Sequence, residues 1–267
     1  MHEFTYEISS FWIAAFLFGS MTLAIEAGYR IGLRNRAAEE SSRAQVSTIQ
    51  ASMLGILALL LGFTFSLSLQ RFDSRSMAVV DEANAIGTAY LRAELLPNSV
   101  RGEVKKLLRQ YLDLREQAGV IALDRQEERR ALTTQSGRIQ NALWEYASHA
   151  AKEDANPVTT GLFIQALNEL IDSFGRRDAA LDRHVPELVL LLLYATFLMA
   201  GVILGYTSGI VGQRASVASY IMVALIVLLV FIIIDLDRPR RGLITVSHKS
   251  LTELRSAIDA ETSADTQ

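Results

Sequence analysis

Polar side chains recur along the second apolar segment of this 267-residue chain in a pattern that can form a path for ions. One helical stripe carries hydroxyl and guanidinium groups three or four residues apart: Thr64, Ser68, Arg71 and Arg75. A neighbouring stripe carries Ser66, Gln70 and Asp73. On a membrane helix, such groups either line a water-filled path or bond back to their own backbone carbonyls. The pattern leaves both uses open; in the first, Arg71 and Arg75 stand at the mouth and favour anions.

Residue types that serve enzymes and metal sites are present, but without the spacing that such sites need. The four histidines are scattered and form no HxxxH pair: His2, His149, His184 and His248. The chain has no cysteine, no GxSxG sequence and no glycine-rich phosphate loop ending in GK[ST]. We therefore predict no enzyme activity, no metal site and no cofactor.

Four segments of the chain are nearly free of charge, and the polar stripes lie on the second of them and just after it. The segments are 11–25, 51–69, 188–206 and 217–234. Each is about as long as a membrane span requires. We predict a first transmembrane pair in residues 1–70, with spans at about 9–29 and 51–70. A second pair is predicted in residues 186–236, with spans at about 187–206 and 217–236. The first segment lacks a positively charged flank and a small-residue cleavage site, so it is predicted to be a retained helix rather than a signal peptide.

Residues 71–185 have the composition of a soluble helical domain, with 16 Lys and Arg against 17 Asp and Glu. This balance argues against nucleic acid as a partner, because phosphate binding needs excess positive charge. The fold class is therefore an all-α membrane protein with four transmembrane helices in two pairs flanking a helical extramembrane domain. A C-terminal segment, 237–267, is predicted to form a short helix and a disordered tail, ETSADTQ.

The second span is predicted to continue into the helical domain as one rod from Met53 to Leu96, because proline first appears at Pro97. Small residues alternate with polar ones near its end, which favours close contact with another helix. The predicted contact residues are Asp81, Asn84, Gly87, Thr88 and Arg92.

Three glycines at four-residue spacing end the third span: Gly201, Gly205 and Gly209. Small residues at this interval let helix backbones approach closely in lipid. The spacing fits both packing inside one protomer and contact between subunits.

Charged residues flank the spans and are predicted to lie at the membrane interface, where arginines meet anionic lipid headgroups. They are Glu26, Asp235, Asp237, Arg238, Arg240 and Arg241. Lys and Arg near the membrane are more numerous on the side of the insert and the termini, which favours a cytoplasmic location for these parts.

Two stretches carry a family resemblance: LGFTFSLSLQRFDSR at 61–75 with VDEANAIGTAYLRAELLP at 80–97, and DLDRPRRGLITVS at 235–247. Together with the span layout, they resemble the bestrophin-like family of bacterial membrane proteins. True bestrophins are pentameric anion channels whose second membrane helix lines the pore and narrows it with apolar and aromatic residues. The resemblance implies a homo-oligomer in the bacterial inner membrane, with Phe63, Phe65 or Leu69 at a constriction.

The sequence departs from true bestrophins at two places. The proline-containing neck motif is missing from 57–69, and no acidic cluster like the calcium clasp follows the fourth span beyond Asp235 and Asp237. The leading functional hypothesis is an ion (anion) channel lined by the second helix. The alternative is a non-conducting scaffold or sensor that relays partner binding through the helical insert.

Overall fold

The computed structural model describes residues 10–35, 40–121, 125–214, 216–238 and 243–265. These residues form eight helices and no strand, which confirms the all-α fold class. The helices are α1 (Ser10–Arg34), α2 (Glu40–Arg92), α3 (Asn98–Val120), α4 (Gln126–Glu153), α5 (Thr160–Asp182), α6 (Glu187–Val211), α7 (Val217–Asp237) and α8 (Lys249–Asp265). A 3₁₀ turn, Ala93–Leu95, follows α2.

Four helical runs among the described residues are long and apolar enough to cross a membrane. They correspond to α1, to residues 51–69 of α2, to α6 and to α7. The prediction of four spans is therefore confirmed.

The second helix is longer than the sequence predicted, because it begins at Glu40 rather than near Met53 and runs for 53 residues. It ends close to the expected place. Pro97 lacks an N–H and disfavours helical backbone in the residue before it, and Leu96 is extended. Arg101 donates from Nε and Nη2 to the Leu96 carbonyl, which fixes this turn.

The chain divides into two compact units, which we call the membrane unit and the helical unit. The membrane unit comprises Met1–Phe72 and His184–Thr245, and the helical unit comprises Asp73–Arg183 and Val246–Gln267. The sequence grouped 237–267 as one C-terminal segment, whereas the structure divides these residues between the units.

The prediction of a disordered tail from Glu261 is wrong as far as Asp265, because α8 continues to that residue. Glu261 accepts a hydrogen bond from Lys105 of α3 at 3.1 Å. This ion pair contributes to holding the end of α8 in a helix beyond the point where the apolar pattern stops.

In the membrane unit, α1 packs against α6, and the two backbones touch where glycines face the other helix. A Cβ atom at Gly205 would lie 1.9 Å from the Ile25 carbonyl oxygen, and one at Gly28 would lie 2.0 Å from the Val202 carbonyl oxygen. Gly209 similarly faces Gly32. The predicted stripe of glycines is therefore used within one protomer, where it lets two backbones touch.

The helical unit has its own apolar core, to which five helices contribute. Ile86 of α2, Leu108 of α3, Leu143 of α4, Phe163 of α5 and Leu251 of α8 are each fully buried there. The 3.6-residue periodicity of the insert predicted these helices, and their apolar faces meet as that pattern requires.

Candidate functional site

The part of α2 within the membrane unit has a buried side that recurs at helical spacing. It consists of Leu57, Leu61, Thr64 and Ser68. The Thr64 hydroxyl donates to the Leu60 carbonyl of its own helix at 2.7 Å. The Ser68 hydroxyl is enclosed and has no hydrogen-bond partner among the described residues. Neither hydroxyl is open to a path along the exposed side of this helix.

The opposite side of α2 is exposed, and we call it the outer face. It consists of Ser52, Gly55, Leu59, Gly62, Phe63, Ser66 and Gln70. A Cβ atom added at Gly55 or Gly62 would meet nothing within 4 Å, so this surface has room for another helix. Phe63 is 62% exposed and projects from the same side.

The outer face differs from the other exposed surfaces of the membrane unit. α1 exposes Phe11, Trp12 and Phe16, and α7 exposes Ile221 and Leu225. Large apolar side chains of this kind suit contact with lipid chains. Beside Leu59 and Phe63, the outer face carries small residues and the polar groups of Ser66 and Gln70, a composition that suits a neighbouring helix or water.

The structure separates the predicted pore residues. Phe63 and Leu69 are exposed, Phe65 is half-buried against the membrane core, and Arg71 is half-buried. Thr64, Ser68 and Arg75 lie on the buried side, so these three are wrong as lining residues of the exposed side. Helical spacing alone fits both stripes equally well. Burial in the core that α2 shares with α1, α6 and α7 decides which stripe is covered.

Arg75 is buried because it completes the end of α5. Its Nε donates to the Ala180 carbonyl at 3.2 Å, and its Nη2 donates to the Arg183 carbonyl at 2.7 Å. The last carbonyls of a helix lack partners within the helix, and a cation there also complements the helix dipole. The charge of Arg75 therefore stabilises α5 and does not stand free at a mouth.

Farther along α2, the predicted contact residues line a groove within the helical unit. The groove has a volume of about 560 Å³, and Asp81, Asn84, Thr88 and Arg92 face residues of α5 across it. Arg92 donates to the Leu162 carbonyl at 3.0 Å. Gly87 points elsewhere, because a Cβ atom there would lie 3.1 Å from Leu254 Cδ1 of α8.

A buried ion cluster lies on the covered side of α2 in the helical unit. The carboxylate of Glu82 is 0% exposed. One of its oxygens accepts from Arg115 Nε of α3 at 2.6 Å, and the other accepts from Arg177 Nη1 of α5. Burial lowers the pKa of Arg177, and the adjacent Glu82 carboxylate opposes this effect. The guanidinium of Arg115 also lies 4.5 Å from the centre of the Phe174 ring.

Sequence reasoning missed this cluster, since Glu82 follows Asp81 and the pair looks like an ordinary solvated acidic step. One signal could have found it. Glu82 falls on the apolar stripe of Val79, Ile86 and Ala89, which are all buried, so its carboxylate had to be buried as well.

The comparisons with known proteins agree with this architecture. A model of the bestrophin-like domain matches residues 16–251. The chain belongs to the bestrophin-like family. No curated protein matches the sequence.

Solved structures show the same bestrophin fold. Two are crystal structures of a bacterial bestrophin homologue from Klebsiella pneumoniae, each with a single substitution. One has a TM-score of 0.64 at 15% identity and aligns over 91% of this chain and 97% of its own. The other has a TM-score of 0.60 at 16% identity, over 92% and 98%. A structure described as a membrane protein has a TM-score of 0.60 at 17% identity, over 91% and 97%. This bestrophin-like chain is thus a multi-pass membrane protein.

The acids that follow the fourth span in this bestrophin-like chain hold backbone in place. Asp235 Oδ2 accepts from the Leu243 and Ile244 N–H groups at 2.9 and 3.0 Å. Asp237 Oδ1 accepts from the Val185 N–H at 3.0 Å. Both carboxylates are buried, so they organise the turn at the end of α7.

The other predicted interface residues fall into three groups. Glu26 pairs with Arg30 on the surface of α1 at 2.8 Å, and Arg238 is buried. Arg240 and Arg241 lie outside the described residues. No three His, Asp or Glu side chains among the described residues come close enough together to hold a metal ion.

Proposed function

We propose that this protein is an ion channel of the bacterial inner membrane, assembled from several copies around a path lined by the outer face of α2. One observation carries the proposal: beside the large apolar side chains of Leu59 and Phe63, the exposed side of a membrane helix displays small and polar residues, whereas the exposed residues named on α1 and α7 are large and apolar. Family membership supports the same function, since bestrophins are channels. Phe63 is the candidate for a constriction in this path.

Assembly follows from the same surface. Gly55, Gly62 and Ser66 leave room for a second helix. Symmetric packing of α2 from several copies fills this room. By analogy with true bestrophins, we propose a pentamer, which light scattering on detergent-solubilised protein can measure.

The charges exposed on α2 support cations rather than anions as the permeant species. Arg71 and Arg75 were expected to favour anions at the mouth of the path. Because Arg75 caps α5, only Arg71 remains available for this role. Asp73, one turn beyond Gln70, is exposed, as is Asp81. A ring of carboxylates raises the local cation concentration and repels anions.

Membrane orientation follows the distribution of positive charge. Lys and Arg concentrate near the ends of the insert and after the fourth span, so the helical unit and both termini are proposed to be cytoplasmic. A reporter active only in the cytoplasm, fused to the C-terminus, tests this orientation.

Substitution of Asp73 by lysine is expected to shift the reversal potential in a salt gradient towards that of anions. The cation-to-anion permeability ratio should fall on the order of threefold or more, because each subunit changes two charges near the path. Purified oligomers in planar bilayers provide the measurement. Asp172→Lys is the matched control, since this exposed acid lies on α5, and its reversal potential should equal that of the wild type.

Two outcomes contradict the proposal. Folded, oligomeric wild-type protein that carries no current in several salts contradicts a channel and favours the scaffold. Equal reversal potentials for Asp73→Lys and the wild type contradict the cation path along α2.

A further inference from the structure

The groove between α2 and α5 in the helical unit is large enough for a small molecule. Its volume of about 560 Å³ falls within the range of known ligand pockets, about 300–1,000 Å³. Ala85 of α2 and Ala166 of α5 line the groove and are both buried. These two small side chains leave an apolar floor, and the more exposed residues around them form polar walls.

The walls carry two carboxylates and two guanidiniums, of which three are already engaged. Arg92 Nη1 donates to the Leu162 carbonyl at 3.0 Å. Arg176 Nη2 donates to Glu169 Oε1 on the surface of α5. Asp81, by contrast, forms no ion pair or hydrogen bond with any residue that the structure describes. The charge that the groove leaves free for a ligand is therefore negative.

Three neutral polar side chains of the groove also have no partner within the described part of the chain: Asn84, Thr88 and Gln165. Asn84 follows Asp81 by three residues and Thr88 follows Asn84 by four, so the three share one face of α2. An ammonium group has three N–H donors and no acceptor. It can therefore bond to the carboxylate of Asp81 and to the amide oxygen of Asn84 together.

The alanine floor favours an organic cation over an inorganic one. A hydrated metal ion gains nothing from buried methyl groups, whereas an aliphatic chain that lies over Ala85 and Ala166 removes apolar surface from water. A carboxylate ligand is disfavoured, because Asp81 repels it and both guanidiniums have other partners. The groove thus fits a molecule with one ammonium end and a short aliphatic body.

We propose that this groove is a binding site for a small primary amine. The ammonium group pairs with Asp81 and bonds to Asn84, and the aliphatic body lies over Ala85 and Ala166 towards Thr88. This site goes beyond the proposed ion channel and does not depend on it, because all the residues that form it belong to the helical unit.

Short alkylammonium ions are the probes, and the full chain in detergent is the protein. Ligand-observed NMR titration at about pH 7, where amines are protonated, gives the affinity for methyl-, ethyl-, propyl- and butylammonium. Titrations of micelles without protein are subtracted, because longer chains also enter micelles. We expect the affinity to rise by up to about fourfold for each methylene that the groove buries. Butanol and butyrate match the butyl chain without its positive charge, so both should bind more weakly than butylammonium.

Asp81→Asn tests the partner of the ammonium group. The variant keeps the shape of the side chain and removes its charge, so butylammonium should bind on the order of fivefold more weakly. Asp172→Asn is the matched control, since this exposed acid of α5 does not line the groove, and its affinity should equal that of the wild type.

The proposal is overturned if the affinity is independent of chain length in the wild type, because a surface carboxylate alone would attract every ammonium equally. It is also overturned if Asp81→Asn binds as the wild type does, if both asparagine variants lose affinity equally, or if butyrate or butanol binds as tightly as butylammonium. The chain-length series needs no variant, so it decides the question even where a substitution impairs folding.

None of these measurements requires an ion current. Amine binding by protein that carries no current in any salt contradicts the proposed channel and leaves the amine site in place. Current from protein that binds no amine overturns the site and leaves the channel in place.

Discussion

Replacement of Glu82 by glutamine is expected to lower the free energy of unfolding of the helical unit by about 3–5 kcal/mol. The variant keeps the shape of the side chain but leaves the guanidiniums of Arg115 and Arg177 buried without a counter-charge. An unpaired buried charge costs far more than the pair itself contributes. Chemical denaturation in detergent, followed by the fluorescence of Trp144 on α4, measures the change.

The neighbouring acid provides the matched control. Asp81 is exposed, so Asp81→Asn should change the free energy of unfolding by no more than about 0.5 kcal/mol. Equal losses for the two variants would show that burial and the two guanidiniums are not what makes Glu82 important.

Substitution of Gly205 by alanine is expected to disrupt the packing of α1 on α6, with a cost of about 3 kcal/mol, the upper end of the usual range for overpacking. The added Cβ atom would lie 1.9 Å from the Ile25 carbonyl oxygen, and a backbone atom cannot rotate away as a flexible side chain can. The two helices must separate, which removes contacts along their whole length. The yield of monodisperse protein and its melting temperature in detergent should both fall.

Gly19→Ala tests whether this loss is specific to the contact. It adds the same methyl group to α1, at a position where nothing lies within 4 Å. Its yield and melting temperature should match or exceed those of the wild type, because alanine favours the helix over glycine. A similar loss in both variants would contradict the close backbone contact.

The sequence predicted the parts of the fold that depend on hydrophobic pattern and on helix-breaking residues. The uncharged segments correctly predicted the positions of all four spans, and Pro97 correctly predicted where α2 ends. The tail was predicted wrongly because a single ion pair, between Lys105 and Glu261, holds residues that carry no apolar pattern.

The candidate site was harder to predict, because α2 carries polar groups on two stripes with the same period. Only tertiary packing shows that Thr64 and Ser68 face inward while Ser66 and Gln70 face outward. Arg75 was misplaced for a related reason: its partners are the carbonyls of Ala180 and Arg183, more than a hundred residues away. Backbone acceptors at such a distance leave no signature in residue type or spacing.

Cysteine accessibility on the two sides of α2 tests whether the ion path runs along the outer face. Ser66→Cys and Ser68→Cys place the same thiol two residues apart in a chain without other cysteines, one on the outer face and one on the buried side. We expect a charged methanethiosulfonate reagent to reduce the bilayer current of Ser66→Cys and to leave that of Ser68→Cys unchanged. Block of Ser68→Cys with no effect on Ser66→Cys would contradict an ion path along the outer face.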